Sequence, residues 1–114
     1  MMTQDWRKDI LYDIDRRFPK VKEDLGISDF NGNPKEVFEE LEQKNMVSGR
    51  RPETVVLLSM YLCLKRAGYQ FLKKDFLKDS RITEVAFRNN LRKLKQKGML
   101  VVVNNMYRDG VPKP

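Results

Sequence analysis

Residues 55–64 read VVLLSMYLCL, a run in which only Ser59 is not apolar. Pro52 stands just ahead of it, in the longer stretch SGRRPETVVLLSMYLCLKRAG, and suits the first turn of a helix. A helix that is apolar on nearly every side has no face to give to water, so it belongs at the centre of a bundle. This run predicts one buried helix with the others packed around it. It is too short to span a bilayer. With 114 residues, 40% of them hydrophobic, the chain has material for one modest core and therefore one domain.

The remaining pattern is helix after helix. From Thr3 to about Phe18, Trp6, Ile10, Leu11, Ile14 and Phe18 recur at helical spacing. Pro19 predicts a break or a new first turn, after which Val21 and Leu25 continue a short amphipathic piece that Gly26 stops. ISDFNGN is loop chemistry. In NPKEVFEELEQKN, Asn33 is the expected N-cap, Pro34 the first helical residue and Glu36 the third member of a capping-box pattern. Val37, Phe38 and Leu41 form its buried stripe, with Met46 packing just beyond the end. After Gly68, Phe71, Leu72, Phe76 and Leu77 suit a short helix. RITEVAFRNNLRKLKQK then gives a longer one, closed by Gly98. Two helices joined by a tight turn, the second one basic, read as a helix-turn-helix over 70–97. The end of the chain, MLVVVNNMYRDGVPKP, is β-branched and rich in turn signals, which predicts a strand-like tail, wing or arm over 98–114.

The sequence has one cysteine, Cys63, inside the apolar run, and no histidine. Cys63 is expected to be a buried, inert thiol. A zinc site or disulfide framework needs more ligands than this, so no metal and no cofactor is expected. Without histidine there is no Ser-His or Cys-His pair, and the carboxylates fall on helix starts and solvated faces, so an enzyme is not expected. The opening MMTQDWRKDI mixes charges early and lacks the apolar centre of a signal peptide. The expectation is a soluble protein, cytoplasmic and nucleoid-associated, or nuclear if eukaryotic.

Charge carries more information than composition. The net charge is +7, but residues 1–64 hold 10 Lys+Arg against 12 Asp+Glu, whereas residues 65–97 hold 11 against 3. One third of the chain holds all the excess, as a footprint for a polyanion would. Within it, turning about 100° per residue from Val85 puts Phe87, Leu91 and Leu94 near 200°, 240° and 180°, the buried face. Val85, Arg88, Asn89, Arg92 and Gln96 fall within about 60° of zero on the opposite face. Val85 is therefore expected to be exposed beside two arginines and an asparagine, near the helix N-terminus, which is the part of a recognition helix that meets base edges. Arginine suits guanine and an apolar group suits the thymine methyl. Thr83 is the expected N-cap, and Lys93, Lys95 and Lys97 flank the face as phosphate contacts. An ordinary solvated amphipathic helix is the alternative reading of the same pattern.

Gly49-Arg50-Arg51-Pro52, then Met60-Tyr61-Leu62, then Thr83-Glu84-Val85-Ala86-Phe87-Arg88-Asn89 resemble one cyclin-like repeat of the transcription factor B family, which includes archaeal transcription factor B and eukaryotic transcription factor II B. The resemblance is clearest over residues 35–97 and extends to the first helix. It implies an all-α fold, a five-helix cyclin-like repeat over 1–97 with a central buried helix and a C-terminal helix-turn-helix. In the family the Val and Arg of the last motif read bases in the major groove, which implies base-reading roles for Val85 and Arg88, extended by Asn89 and Arg92. A Gly-Arg before the central helix reaches DNA elsewhere, which implies backbone contacts for Gly49 and Arg50, with Arg51, Thr83, Lys93 and Lys95 beside them. Complete members carry a zinc ribbon and two repeats, whereas this sequence has one cysteine and room for one repeat. The implied partners are double-stranded DNA and the TATA-binding protein or another transcription or replication protein, with a homodimer as a further source of affinity. Two other readings stay open. The first is a winged-helix or origin-type replication protein, with Tyr107 and Arg108 at the wing tip. The second is a cyclin-like protein-interaction adaptor that does not bind DNA.

Overall fold

A computed structural model describes residues 4–99, together with 107–108 and 111–112. The described fold is all-α, with five helices: α1 (Gln4–Asp24), α2 (Pro34–Gln43), α3 (Pro52–Arg66), α4 (Lys73–Phe76) and α5 (Glu84–Gln96). Beyond Met99, strands β1 (Tyr107–Arg108) and β2 (Val111–Pro112) pair antiparallel, with Tyr107 opposite Pro112 and Arg108 opposite Val111. The remaining residues of the expected wing or arm lie outside the described ones.

The central helix is α3. Every residue from Thr54 to Lys65 is buried, and α1 and α2 pack against it. The single hydroxyl inside the run is satisfied locally, because Ser59 Oγ donates to the Val55 carbonyl at 2.8 Å. On α1, Ile10, Ile14 and Phe18 are buried and Val21 packs against the core, as does Leu25 just past the helix end.

This stripe runs straight through Pro19, which does not break the helix as the sequence reading predicts. Proline removes one N–H and crowds the carbonyl four residues back. Pro19 is exposed, so that loss falls on the solvent side, where a curved helix already lengthens its bonds. The apolar stripe on the other side holds both halves in register. The helix ends where Gly26, at φ +76, lets the Ile27 N–H return to the Lys22 carbonyl at 2.8 Å.

Asn33 caps α2, its side-chain oxygen accepting from the Lys35 N–H at 3.1 Å, with Pro34 in the first turn. Val37, Phe38 and Leu41 are buried, and Met46 and Val47 are buried just past the helix end. Residues 47–50 then form a tight turn in which the Arg50 N–H donates to the Val47 carbonyl at 3.2 Å. Gly49 sits at its third position with φ +80, a conformation in which any side chain would be strained. The glycine thus aims Arg50 and Arg51 before α3 begins.

The short helix differs from expectation. Only Lys73–Phe76 is helical, Leu72 is 59% exposed rather than part of a buried stripe, and residues 77–83 rather than a tight turn connect it to α5. Two lysines in the first turn oppose the helix dipole, which weakens the start. At the other end, Ser80 turns the chain by donating from both its N–H and its hydroxyl to the Leu77 carbonyl, at 2.9 and 2.8 Å. Phe76 and Leu77 remain buried and anchor the segment.

Arginine ion pairs tie α1, α2 and α3 to one another. Arg66 makes two bonds of 2.7 Å to the Glu40 carboxylate and a third of 3.2 Å to the Met99 carbonyl. Arg7 pairs with Glu42 at 3.0 Å, and Arg17 with Glu53 at 3.1 Å. Acids of α2 and α3 are in this way partly consumed by structural arginines.

Candidate nucleic-acid interface

The basic helix α5 is held by one face. Phe87, Leu91 and Leu94 are buried, and the Phe87 ring meets Tyr61 of α3 edge-on at 5.1 Å and Phe76 at 5.9 Å. Tyr61 also meets Phe71 and Phe76, at 5.5 and 5.4 Å. It is the hub that fixes the rotation of α5 about its axis. Burial pushes its phenol up to about 12, so it stays neutral under ordinary conditions. Thr83 starts the helix, its Oγ1 accepting from the Ala86 N–H at 3.1 Å. At the far end Gly98, at φ +81, lets the Met99 N–H reach the Leu94 carbonyl at 3.0 Å, and Met99 is buried.

With that face fixed, the outward one follows. Val85 is 60% exposed, and Arg88, Asn89, Arg92 and Gln96 are all exposed. Val85 therefore stands in solvent beside arginines, as the face test requires. Arg88 lies 3.5 Å from the Glu84 carboxylate one turn earlier. Both partners are about half exposed, so this pair contributes little and is easily exchanged for another anion.

On one flank of this ridge lies a groove of about 600 Å³ between the 48–51 turn and α5. Gly49, Arg50, Arg51, Thr83 and Lys93, all expected near nucleic-acid backbone, line it together. Arg81 and Asn90 line it as well, and sequence reasoning did not single them out. None of the described residues that line it is acidic. Arg50 Nε donates to Asn90 Oδ1 at 2.9 Å, while Asn90 Nδ2 donates to the Ala86 carbonyl at 3.0 Å. Lys95 projects from about 280° on the helical wheel, on the other flank of the ridge. The expected contacts therefore form a cationic groove on one flank of the outward ridge, with Lys95 on the other flank, rather than one patch.

Among the described residues, Arg51, Arg81, Arg92, Lys93, Lys95 and Lys97 are in no ion pair, in contrast to Arg7, Arg17 and Arg66 in the helical core. Unneutralised cations gathered on one surface repel one another and favour a polyanion that would replace the missing counter-charges.

Other chemistry finds little support in the described residues. Cys63 is buried and its thiol is pushed up to about 11 by burial, which keeps it protonated and slow to react. No three His, Cys, Asp or Glu side chains cluster well enough to hold a metal ion, and no helix is long and apolar enough to cross a membrane. No family model, no curated protein and no solved structure matches this chain.

Proposed function

We propose that this chain is a sequence-specific, double-stranded-DNA-binding protein acting in transcription, with α5 in the major groove. The observation that carries the reading is the organisation of α5. Its outward ridge mixes an exposed valine with Arg88, Asn89 and Arg92, and cations outside any ion pair flank it, Arg51, Arg81 and Lys93 along the groove and Lys95 on the other side. A helix fits the major groove with its outer face toward the base edges and its flanks toward the two phosphate strands. In this reading Arg88 donates to a guanine, Val85 packs on a thymine methyl, and Asn89 and Arg92 extend the contact. Arg50, Arg51, Thr83, Lys93 and Lys95 hold phosphates. The resemblance of the Gly49–Pro52 and Thr83–Asn89 motifs to a transcription factor B repeat points the same way, with the TATA-binding protein or a second copy as a further partner. The cell compartment follows the DNA, nucleoid or nucleus.

The test is binding to a random-sequence duplex across a salt series. The flanking cations predict a slope of log affinity against log salt of about −4 to −6, near −0.9 for each phosphate engaged. A flat response, or no binding at moderate salt, contradicts the reading.

A protein-interaction adaptor is the second reading, favoured by a separate cleft of about 270 Å³. Val21, Leu25, Leu57, Met60 and Phe76 line it, with lysines, arginines and aspartates at its rim. An amphipathic partner segment suits such a lining. Loss of DNA binding with retained capture of a partner would favour it.

A further inference from the structure

Arg50 is half-buried on this surface, and the protein already orients it. Its Nε donates to Asn90 Oδ1 at 2.9 Å, and Asn90 is itself fixed, because its Nδ2 donates to the Ala86 carbonyl one turn earlier on α5. Both ends of the Asn90 carboxamide are thus committed, and the amide cannot flip without losing both bonds. A guanidinium carries five N–H donors in a planar fork. Using Nε leaves the edge formed by the two terminal nitrogens, and among the described residues that edge has no protein partner. That free edge presents two parallel N–H donors and can take two oxygens of a phosphate.

Arg51, Arg81 and Lys93 line the same groove, without a carboxylate among its described lining residues. The groove of about 600 Å³ is larger than a single ion needs and takes a sugar–phosphate segment.

We propose that this groove is a phosphate seat and that Asn90 is its positioning residue, holding Arg50 so that its free edge faces the anion. The inference rests on the DNA-binding reading for its natural ligand, a phosphodiester of the duplex backbone, but the seat itself is a property of the groove. Asn90 bridges the two elements that form it, the 47–50 turn and α5. Binding then proceeds without the usual loss of arginine side-chain freedom, because that freedom is already spent in the free protein.

The experiment uses the full chain, a random-sequence duplex and inorganic phosphate as separate probes. In ¹H–¹⁵N spectra the Arg50 Nε–H should give a resolved, slowly exchanging signal that Asn90→Ala abolishes. Both probes should shift that signal, and with it the Thr83 and Ala86 amides. On the duplex, Arg50→Ala should weaken binding about tenfold and reduce the salt slope by about 0.9. Asn90→Ala should weaken binding about threefold, and the double variant should bind no worse than Arg50→Ala alone. Additive losses, or an Asn90→Ala variant that binds like the parent, overturn the positioning role. If Asn90→Ala fails to fold, Asn90→Ser removes the reach to Arg50 with a smaller perturbation, and the same cycle applies. The two readings separate cleanly. Shifts with phosphate but no duplex binding keep the seat and reject DNA as ligand. Duplex binding that leaves the Arg50 signal unmoved keeps DNA binding and rejects the seat. No response to either probe rejects both.

Discussion

The ring of Phe87 on α5 stands edge-on to the ring of Tyr61 on α3, with centroids 5.1 Å apart and planes at 82°. Tyr61 is on the central helix and Phe87 is fully buried, so this pair sets which side of α5 faces water. The exposure of Val85 and the direction of Arg88 both descend from it. Removing the Phe87 ring should cost about 3–5 kcal/mol of stability, because it leaves a cavity beside the Tyr61 and Phe76 rings. Val85→Ala, on the opposite face, should change stability by less than about 0.5 kcal/mol. Urea titration of the two variants checks both values, and a large loss for Val85→Ala would place the helix the other way round.

Pro19 lies inside α1 on the solvent side, where it withholds a donor from the Asp15 carbonyl and yet leaves the buried stripe intact. Pro19→Ala should therefore stabilise the chain by about 1–2 kcal/mol, the restored helix bond outweighing the greater freedom of the unfolded chain. Thermal melts followed by circular dichroism decide this. A lower melting temperature would mean that the proline sets a curvature that the packing requires.

The Arg66 guanidinium, hydrogen-bonded twice to Glu40, holds that carboxyl below its ordinary value. A depressed carboxyl pKa contributes stability that is present above the unfolded value, about 4.3, and is lost as pH falls through the folded one. Below pH 4 the parent should lose stability faster than Glu40→Gln, and the two curves should converge in acid. Denaturant midpoints from pH 7 to pH 2.5 test the sign. Parallel curves would show that the pair contributes nothing through its charge.

Cys63 is buried in α3, and its thiol is pushed up to about 11. Because the thiolate is the reactive form, a thiol reagent at pH 8 should react at a rate limited by opening of the core, and quickly in denaturant. Fast labelling of the folded chain would contradict the burial of that helix face.

Much of this was legible in the sequence because it depends on period and capping alone. The faces of α5, the all-round burial of α3 and the caps at Asn33 and Thr83 all follow from local patterns. What was not legible depends on contacts between distant segments. Pro19 reads as a break unless the apolar stripe spanning it is weighed against its ring. Leu72 looks like core until the single-turn α4 leaves it outside. Asn89 and Asn90 are neighbours in sequence, and nothing local says that the second accepts a bond from a residue forty positions earlier. Arg81 belongs to the groove only because the 77–83 connection carries it beside the 48–51 turn. The sequence likewise counts cations without revealing that Arg7, Arg17 and Arg66 are held in ion pairs while those flanking α5 mostly are not.

If the flanking cations and the ridge divide their work as proposed, variants should divide too. Lys93→Ala should weaken binding to all duplexes alike and reduce the salt slope by about 0.9. A sequence-dependent loss for this variant would instead put Lys93 on a base.

The central claim is that the outward ridge of α5 reads base sequence. Selection of bound duplexes from a random pool, followed by affinity measurements for the parent and for Arg88→Ala, tests it most directly. The account predicts an enriched motif. It further predicts a loss of about 1–3 kcal/mol for Arg88→Ala on that motif, with little change on random DNA. No enrichment, or equal losses for Arg88→Ala on the motif and on random DNA, would contradict it.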